Sequence, residues 1–382
     1  MPRDMDRRKF IGRSSTLALA TWLAACGSDD GPGTPTPNQA GPAEVNHPDD
    51  DFKRLVISNW PLYIDKKELR RFERAQGVEL RYIEEINDNT EFFGKVRQPL
   101  ERGDGIGRDV AVLTDWMAGR WIRLDYCEPI DKKNVPNAKN LRADLRDPNF
   151  DQGRRFTLPW QSGMTAIGFN RKEVGDVTSL KQLFDPKWKG KVSLFSDARD
   201  TTGLVLLMDG KKPSEATIDD IVGAVEKVEE QNRNGQIRRF TGNDYTSDLT
   251  KGNVVMCMAY SGDMIQLKAD NPDLDFVIPE EGAILWSDNM LIPQKPRSAY
   301  GAEQFMNYVY DPEVAARIAA YVNYVTPVEG TKEILAAKDP ELAENPLIFP
   351  DEETLGRLSG YANLTVEEEQ QMNESFQAVV GG

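Results

Sequence analysis

The chain of 382 residues holds one histidine, His47, and three cysteines, Cys26, Cys127 and Cys257. A single histidine removes Ser-His-Asp and Cys-His catalysis and His-ligated zinc from consideration. An enzyme built on this sequence would have to use carboxylates, lysine or tyrosine. No uninterrupted run of roughly 18 apolar residues occurs, so no membrane-spanning helix is expected. Basic charge is also short: 47 Lys and Arg stand against 62 Asp and Glu, for a net charge of −15. Residues 1–25 hold five of the basic and two of the acidic groups, so the remainder is more acidic still. A surface of that sign repels nucleic acid and anionic lipid and attracts cations.

The N-terminus has its own logic. Arg7 and Arg8 precede Lys9, Phe10 and Ile11, which resembles the twin-arginine export pattern. A short apolar run, "TLALATWLAA", follows and closes in Leu23, Ala24, Ala25 and Cys26, which resembles a bacterial lipobox. Residues 1–26 therefore read as a targeting signal ending at a lipidated Cys26, outside the fold. Residues 27–51 are rich in Gly, Pro, Asp and Thr without apolar periodicity, and read as a disordered tether. In an exported protein Cys127 and Cys257 either pair or remain two buried thiols, and the sequence leaves both open.

From residue 52 on, strand and helix signals alternate. Leu55–Ile57 begin a strand, Asp65 caps a helix that Gly77 ends, and "VELRYIEEI" is a second strand. Asp88 or Asn89 caps the next helix. "RDVAVLTDWMAGRWIRL" reads strand, turn, helix. "RRFTLPWQSGMTAIGFN" reads as a chain crossing between lobes. A second α/β unit starts with a strand at 192–195, a turn at 196–202 and a helix at 203–208. Such alternation predicts an α/β fold with open, mostly parallel sheets, and the length predicts two lobes.

In open parallel sheets ligands bind beyond the carboxyl ends of strands. Those positions carry aromatic rings beside carboxylates: Trp60 and Tyr63; Thr114, Asp115 and Trp116; Asp197, Arg199 and Asp200; Tyr260 and Asp263; Trp286 and Asp288. Tyr245 lies in a predicted loop, "TGNDYT". Trp286 and Asp288 are two apart on a strand and so face one shared space. Ring faces attract organic cations, and carboxylates accept their N–H donors. A single ring or acid at a strand end is most simply packing or a helix cap; repetition of rings and acids across several turns is what points to a linear di- or polyamine.

With those residues in hand, a family resemblance is plain. "SNWPLYI", "LPWQSGMTAIGFN", "DPKWKGKVSLFSDARD", "GNVVMCMAYSGD", "EEGAILWSDNMLIP", "NYVTPVEG" and "LIFPDEET" resemble, in order, the spermidine/putrescine-binding proteins that feed bacterial ABC importers. The resemblance implies a two-lobed periplasmic-binding-protein fold (type II) that closes on its ligand. It implies ligand contacts at Trp60, Tyr63, Asp197, Asp200, Tyr260, Trp286 and Asp288, with Tyr361 aligned loosely near the C-terminus. The family's acidic residue ahead of the tyrosine is missing here, where Pro61 and Leu62 stand. Asp263 and the Asp115–Trp116 pair are not carried over from the family.

The expectation is then an extracytoplasmic, lipid-anchored monomer that captures a polyamine and hands it unchanged to an ABC permease. No cofactor, metal or nucleic acid is expected, and the membrane is met only through the anchor. The ligand set is Trp60, Tyr63, Thr114, Trp116, Asp197, Asp200, Tyr245, Tyr260, Asp263, Trp286 and Asp288. One lobe is expected over 52–160 plus 286–325, the other over 161–285 plus 326–382. The alternatives are another organic cation or a basic amino acid, with Arg199 the candidate for its carboxylate, or a glycoside hydrolase using Asp197 and Asp200.

Overall fold

The computed structural model describes residues 45–381. The signal, Cys26 and most of the tether lie outside the described residues. Strands are β1 (Arg54–Asn59), β2 (Glu79–Glu84), β3 (Val110–Thr114), β4 (Cys127–Glu128), β5 (Thr157–Asn170) and β6 (Val192–Phe195). They continue as β7 (Ile237–Thr241), β8 (Met256–Tyr260), β9 (Leu274–Val277), β10 (Ala283–Pro293) and β11 (Leu358–Ser359).

Two parallel groups form, as the alternation predicts. In one, β1 lies between β2 and β3; in the other, β6 lies between β7 and β8. They are not separate sheets, however. The order β2-β1-β3-β10-β5-β8-β6-β7 is continuous, because β10 and β5 run antiparallel through the middle. At about 3.3 Å per residue the 14 residues of β5 and 11 of β10 are long enough to serve both halves. The predicted crossing, in β5, and the expected lobe boundary at 285/286, in β10, thus both fall in the middle of the sheet.

Each half has its own core. Leu55, Ile57, Phe72, Phe92, Trp121 and Phe305 pack in the first. Ile167, Phe169, Leu194, Leu204, Val228, Met256 and Phe376 pack in the second. The expected return to the second lobe at 326 comes later. Val328 belongs to the first core, and Leu335 and Ala343 pack on Ala316 and Ala319 of the helix Pro312–Val322. Only from β11 onward does the chain join the second half, where the helix Val366–Val380 buries Met372, Phe376 and Val379.

Local capping explains other corrections. Asp197 accepts from the backbone N–H of Arg199 and Asp200, so its helix starts at Ala198 rather than 203. Tyr245 is not in a loop; it opens the helix Tyr245–Thr250 and is fully buried. Residues 45–51 are also fixed, contrary to a tether disordered to 51. His47 Nδ1 lies 2.6 Å from the buried Glu303 Oε1, and Ser298 Oγ donates to Asp50 at 2.9 Å. Cys127 and Cys257 are both free, on different halves of the sheet.

Candidate functional site

A cavity lies where the two halves meet, in a space of about 410 Å³ that includes open solvent. Nine of the predicted residues line it: Trp60, Tyr63, Thr114, Asp197, Asp200, Tyr260, Asp263, Trp286 and Asp288. Strand ends deliver them. Trp60 follows β1, and its indole N–H donates to Val112 O at 3.1 Å. Thr114 ends β3 directly opposite Asp288 in the β3–β10 register, so its hydroxyl donates to Asp288 Oδ1 at 2.8 Å. Tyr63 donates to the other oxygen at 3.0 Å. Trp286 and Asp288 do share one space, although β10 is irregular between Ser287 and Asn289.

From the second half, Asp200 accepts from Thr165 Oγ1 at 2.8 Å, Tyr361 OH at 2.8 Å and Tyr260 OH at 3.3 Å. Asp263, in the first turn of the helix Ser261–Asp270, accepts from Tyr324 OH at 2.8 Å and Tyr245 OH at 3.0 Å. The rings pack edge to face: Tyr260 on Trp286 at 5.4 Å and Tyr63 on Tyr324 at 5.1 Å. Two glycines permit this. A Cβ on Gly163 would stand 2.4 Å from the Trp286 ring, and one on Gly262 would stand 2.4 Å from Tyr324.

Trp116 and Tyr245 do not line the cavity. Trp116 covers the Arg199 guanidinium at 5.2 Å, and Tyr245 stands behind Asp263. Pro61, Asn89, Asn243, Tyr324 and Tyr361 complete the lining. Of these, Tyr361 and Pro61, which stands where the family has an acidic residue, had a sequence cue. Asn89 sits one residue past the cap Asp88 and donates to Thr114 Oγ1 at 2.8 Å. Tyr324 follows the left-handed cap Asn323 (φ 60), a signal that the chain turns there.

The electrostatics are one-sided. Among the described residues no Lys or Arg lines the cavity. Arg199 turns away, donating to Ala362 O at 3.1 Å. Burial therefore dominates the acids. Asp288 is pushed up to about 7, helped by the negative charges of Asp115 and Asp200 and opposed by the Thr114 and Tyr63 hydroxyls. Asp200 and Asp263 are pushed up to about 6, again by burial against opposing hydroxyl bonds. Burial beside Asp200 and Asp88 raises Asp197 as well. Asp200, Asp263 and Asp288 are thus desolvated with no Lys or Arg in the cavity lining among the described residues, a state that a bound cation relieves.

Two α/β halves on shared strands, with a buried cavity at their boundary, define a solute-binding protein. The chain belongs to the family of bacterial extracellular solute-binding proteins, which matches residues 69–350. It is 27% identical over 308 residues to the spermidine/putrescine-binding periplasmic protein of Escherichia coli K12, covering 80% of this chain and 86% of that one. It is 27% identical to the putrescine/cadaverine-binding protein of Pseudomonas aeruginosa, covering 84% and 92%. Among solved structures, the spermidine/putrescine ABC transporter substrate-binding protein of Streptococcus pneumoniae superposes with a TM-score of 0.69. Its identity is 26%, and the match covers 86% of this chain and 98% of that one.

Proposed function

We propose that this protein captures a polyamine and presents it, chemically unchanged, to an ABC permease. One observation carries the reading: buried carboxylates face an aromatic cavity whose lining supplies hydroxyl and amide donors but, among the described residues, no Lys or Arg. Protonated amines would restore the missing charge, and Trp60, Tyr63, Tyr260 and Trp286 would line the methylene segments. A basic amino acid fits less well, because Arg199 is committed to Ala362 O and the Trp116 ring. Relatives that bind spermidine, putrescine or cadaverine support the ligand class.

The test is titration calorimetry of the purified protein with putrescine, cadaverine, spermidine, spermine and lysine. Saturable one-to-one binding of a polyamine is expected. Heat from lysine alone, or from none of these after ligand stripped by unfolding and refolding, overturns the reading.

We also propose that the protein is a monomer held at the membrane by a lipid on Cys26. Radiolabelled palmitate should enter the wild-type chain, and Cys26→Ser should abolish labelling and release the protein from the membrane fraction. Labelling that persists in Cys26→Ser would disprove the anchor.

A further inference from the structure

We propose that Thr165 is a positioning residue for ligand binding: it ties the Trp286 indole to Asp200 and fills one carboxylate oxygen, so that Oδ2 of Asp200 is the oxygen left for an ammonium group. The inference rests on the polyamine reading above and deepens it.

Thr165 is fully buried on β5 and does not line the cavity. In the register it stands opposite Ile284 of β10 on one side and Tyr260 of β8 on the other. Trp286 is two residues from Ile284 on β10 and so shares its face. The Trp286 indole nitrogen lies 3.0 Å from Thr165 Oγ1, which lies 2.8 Å from Asp200 Oδ1. Only one direction satisfies this chain. An indole nitrogen only donates, an ionised carboxylate only accepts, and a hydroxyl has one proton to give. Thr165 therefore accepts from Trp286 and donates to Asp200. Trp286 packs in the first core, whereas Asp200 lies on the helix Ala198–Met208, whose Leu204 packs in the second. The hydroxyl thus sets a ring of one half against an acid of the other.

Each oxygen of an ionised carboxylate has about two acceptor sites. Asp200 Oδ1 accepts from Thr165 and from Tyr361, both at 2.8 Å, and is full. Among the described residues Oδ2 accepts from Tyr260 alone, at 3.3 Å. An ammonium N–H entering the cavity is therefore directed to Oδ2. Valine at 165 would keep the shape and suit the strand, but it has no hydroxyl. It would leave the indole N–H unpaired and open a site on Oδ1, so that neither the ring nor the carboxylate is held in one orientation.

Calorimetry with putrescine and spermidine at pH 6 and pH 8 tests this on wild type, Thr165→Val and Thr165→Ser, with thermal melts to check folding. Thr165→Val should lose about tenfold in affinity at pH 8, the scale of one hydrogen bond to a charged group. At pH 6 its loss should be several times larger. Burial holds Asp200 at about 6 against the opposing Tyr361, Thr165 and Tyr260 hydroxyls, so removing one donor raises it further. The ligand must then displace a proton up to a higher pH. The other acids that act on Asp200, namely Asp88, Asp115, Asp197 and Asp288, are unchanged by the substitution. Thr165→Ser keeps the hydroxyl and should restore the wild-type affinities at both pH values. A Thr165→Val loss that is equal at the two pH values, or one that Thr165→Ser shares, would make Thr165 a packing residue and overturn the proposal. So would a Thr165→Val protein that binds as wild type does. If wild type binds no polyamine, the polyamine reading fails and the inference falls with it. If Thr165→Val does not fold, a wild-type crystal structure with spermidine decides: a ligand nitrogen within hydrogen-bond distance of Asp200 Oδ2 is expected, and its absence there, or a contact to Oδ1 instead, overturns the inference.

Discussion

Asp288→Asn should weaken polyamine binding by about 100- to 1000-fold, the range for removing one partner of a buried, hydrogen-bonded charge pair. The same change should stabilise the empty protein. In the folded state burial holds Asp288 at about 7, against an ordinary aspartate near 3.9. A group raised in this way contributes its full stability below the unfolded value, and loses it as pH rises through the folded one. Above pH 7 the empty protein thus holds an ionised, desolvated carboxylate that costs on the order of 4 kcal/mol at about 1.4 kcal/mol per pKa unit. Asparagine keeps an acceptor for Tyr63 or Thr114 without that charge. Its melting temperature at pH 8 should therefore exceed wild type by several degrees, and the difference should vanish near pH 4. A variant less stable than wild type at pH 8 would mean that Asp288 acts through packing rather than charge.

The same electrostatics set the pH dependence of binding. Asp200, Asp263 and Asp288 hold protons in part near pH 6, whereas aliphatic amines stay protonated to about pH 10. An incoming ammonium must displace those protons. Affinity should rise from pH 5 to pH 8, by about tenfold per pH unit for each proton displaced, and level off above. Calorimetry in two buffers of different ionisation enthalpy counts the protons released. A flat profile between pH 5 and 8 would mean that these acids are ionised before the ligand arrives.

Much of this site was legible because strand ends mark a cleft. Trp60, Thr114, Asp200, Tyr260 and Asp288 each sit where a strand signal stops or crosses, and hydrophobic alternation locates such points well. What the pattern cannot show is which neighbour a side chain finds. Trp116 and Tyr245 look like their cleft-lining neighbours in sequence, yet one covers Arg199 and the other backs Asp263. Asn89 was hidden by its role beside a helix cap. Tyr324 was hidden because it comes from the segment after a helix, where it is brought to the cleft by the Val325–Ser162 bridge to β5. The joined sheet was equally hidden. Length shows that β5 can reach both halves, but register shows that it pairs with both.

Glu369→Gln should lower ligand affinity by about two- to fivefold without touching the ligand. Glu369 belongs to the helix Val366–Val380 of the second half and is 5% exposed. Its partners come mostly from the first: Arg123 Nη2 lies 2.7 Å from Oε2, and Arg120 Nη1 lies 3.7 Å from Oε1. Arg199, at 3.9 Å, ties the cluster to the Trp116 ring. Across the cavity a second contact joins the halves, where Ser196 Oγ donates to Asp88 at 2.8 Å and Asn243 N donates to Asn87 O at 3.1 Å. Both contacts exist only while the halves are together, so they stabilise the closed state whether or not ligand is present. A ligand held by both halves binds the closed state, and its apparent affinity scales with that state's population. Arg123 is half exposed, so weakening its ion pair should shift the equilibrium by about 0.5–1 kcal/mol, or roughly two- to fivefold. Ser196→Ala, at the other lip, should act independently and multiply the effect. Small-angle scattering of the empty protein reads the same shift directly, as a larger radius of gyration in Glu369→Gln that saturating ligand returns to the wild-type value. If affinity falls while the scattering curve stays unchanged, the glutamate acts on the cavity and not on closure.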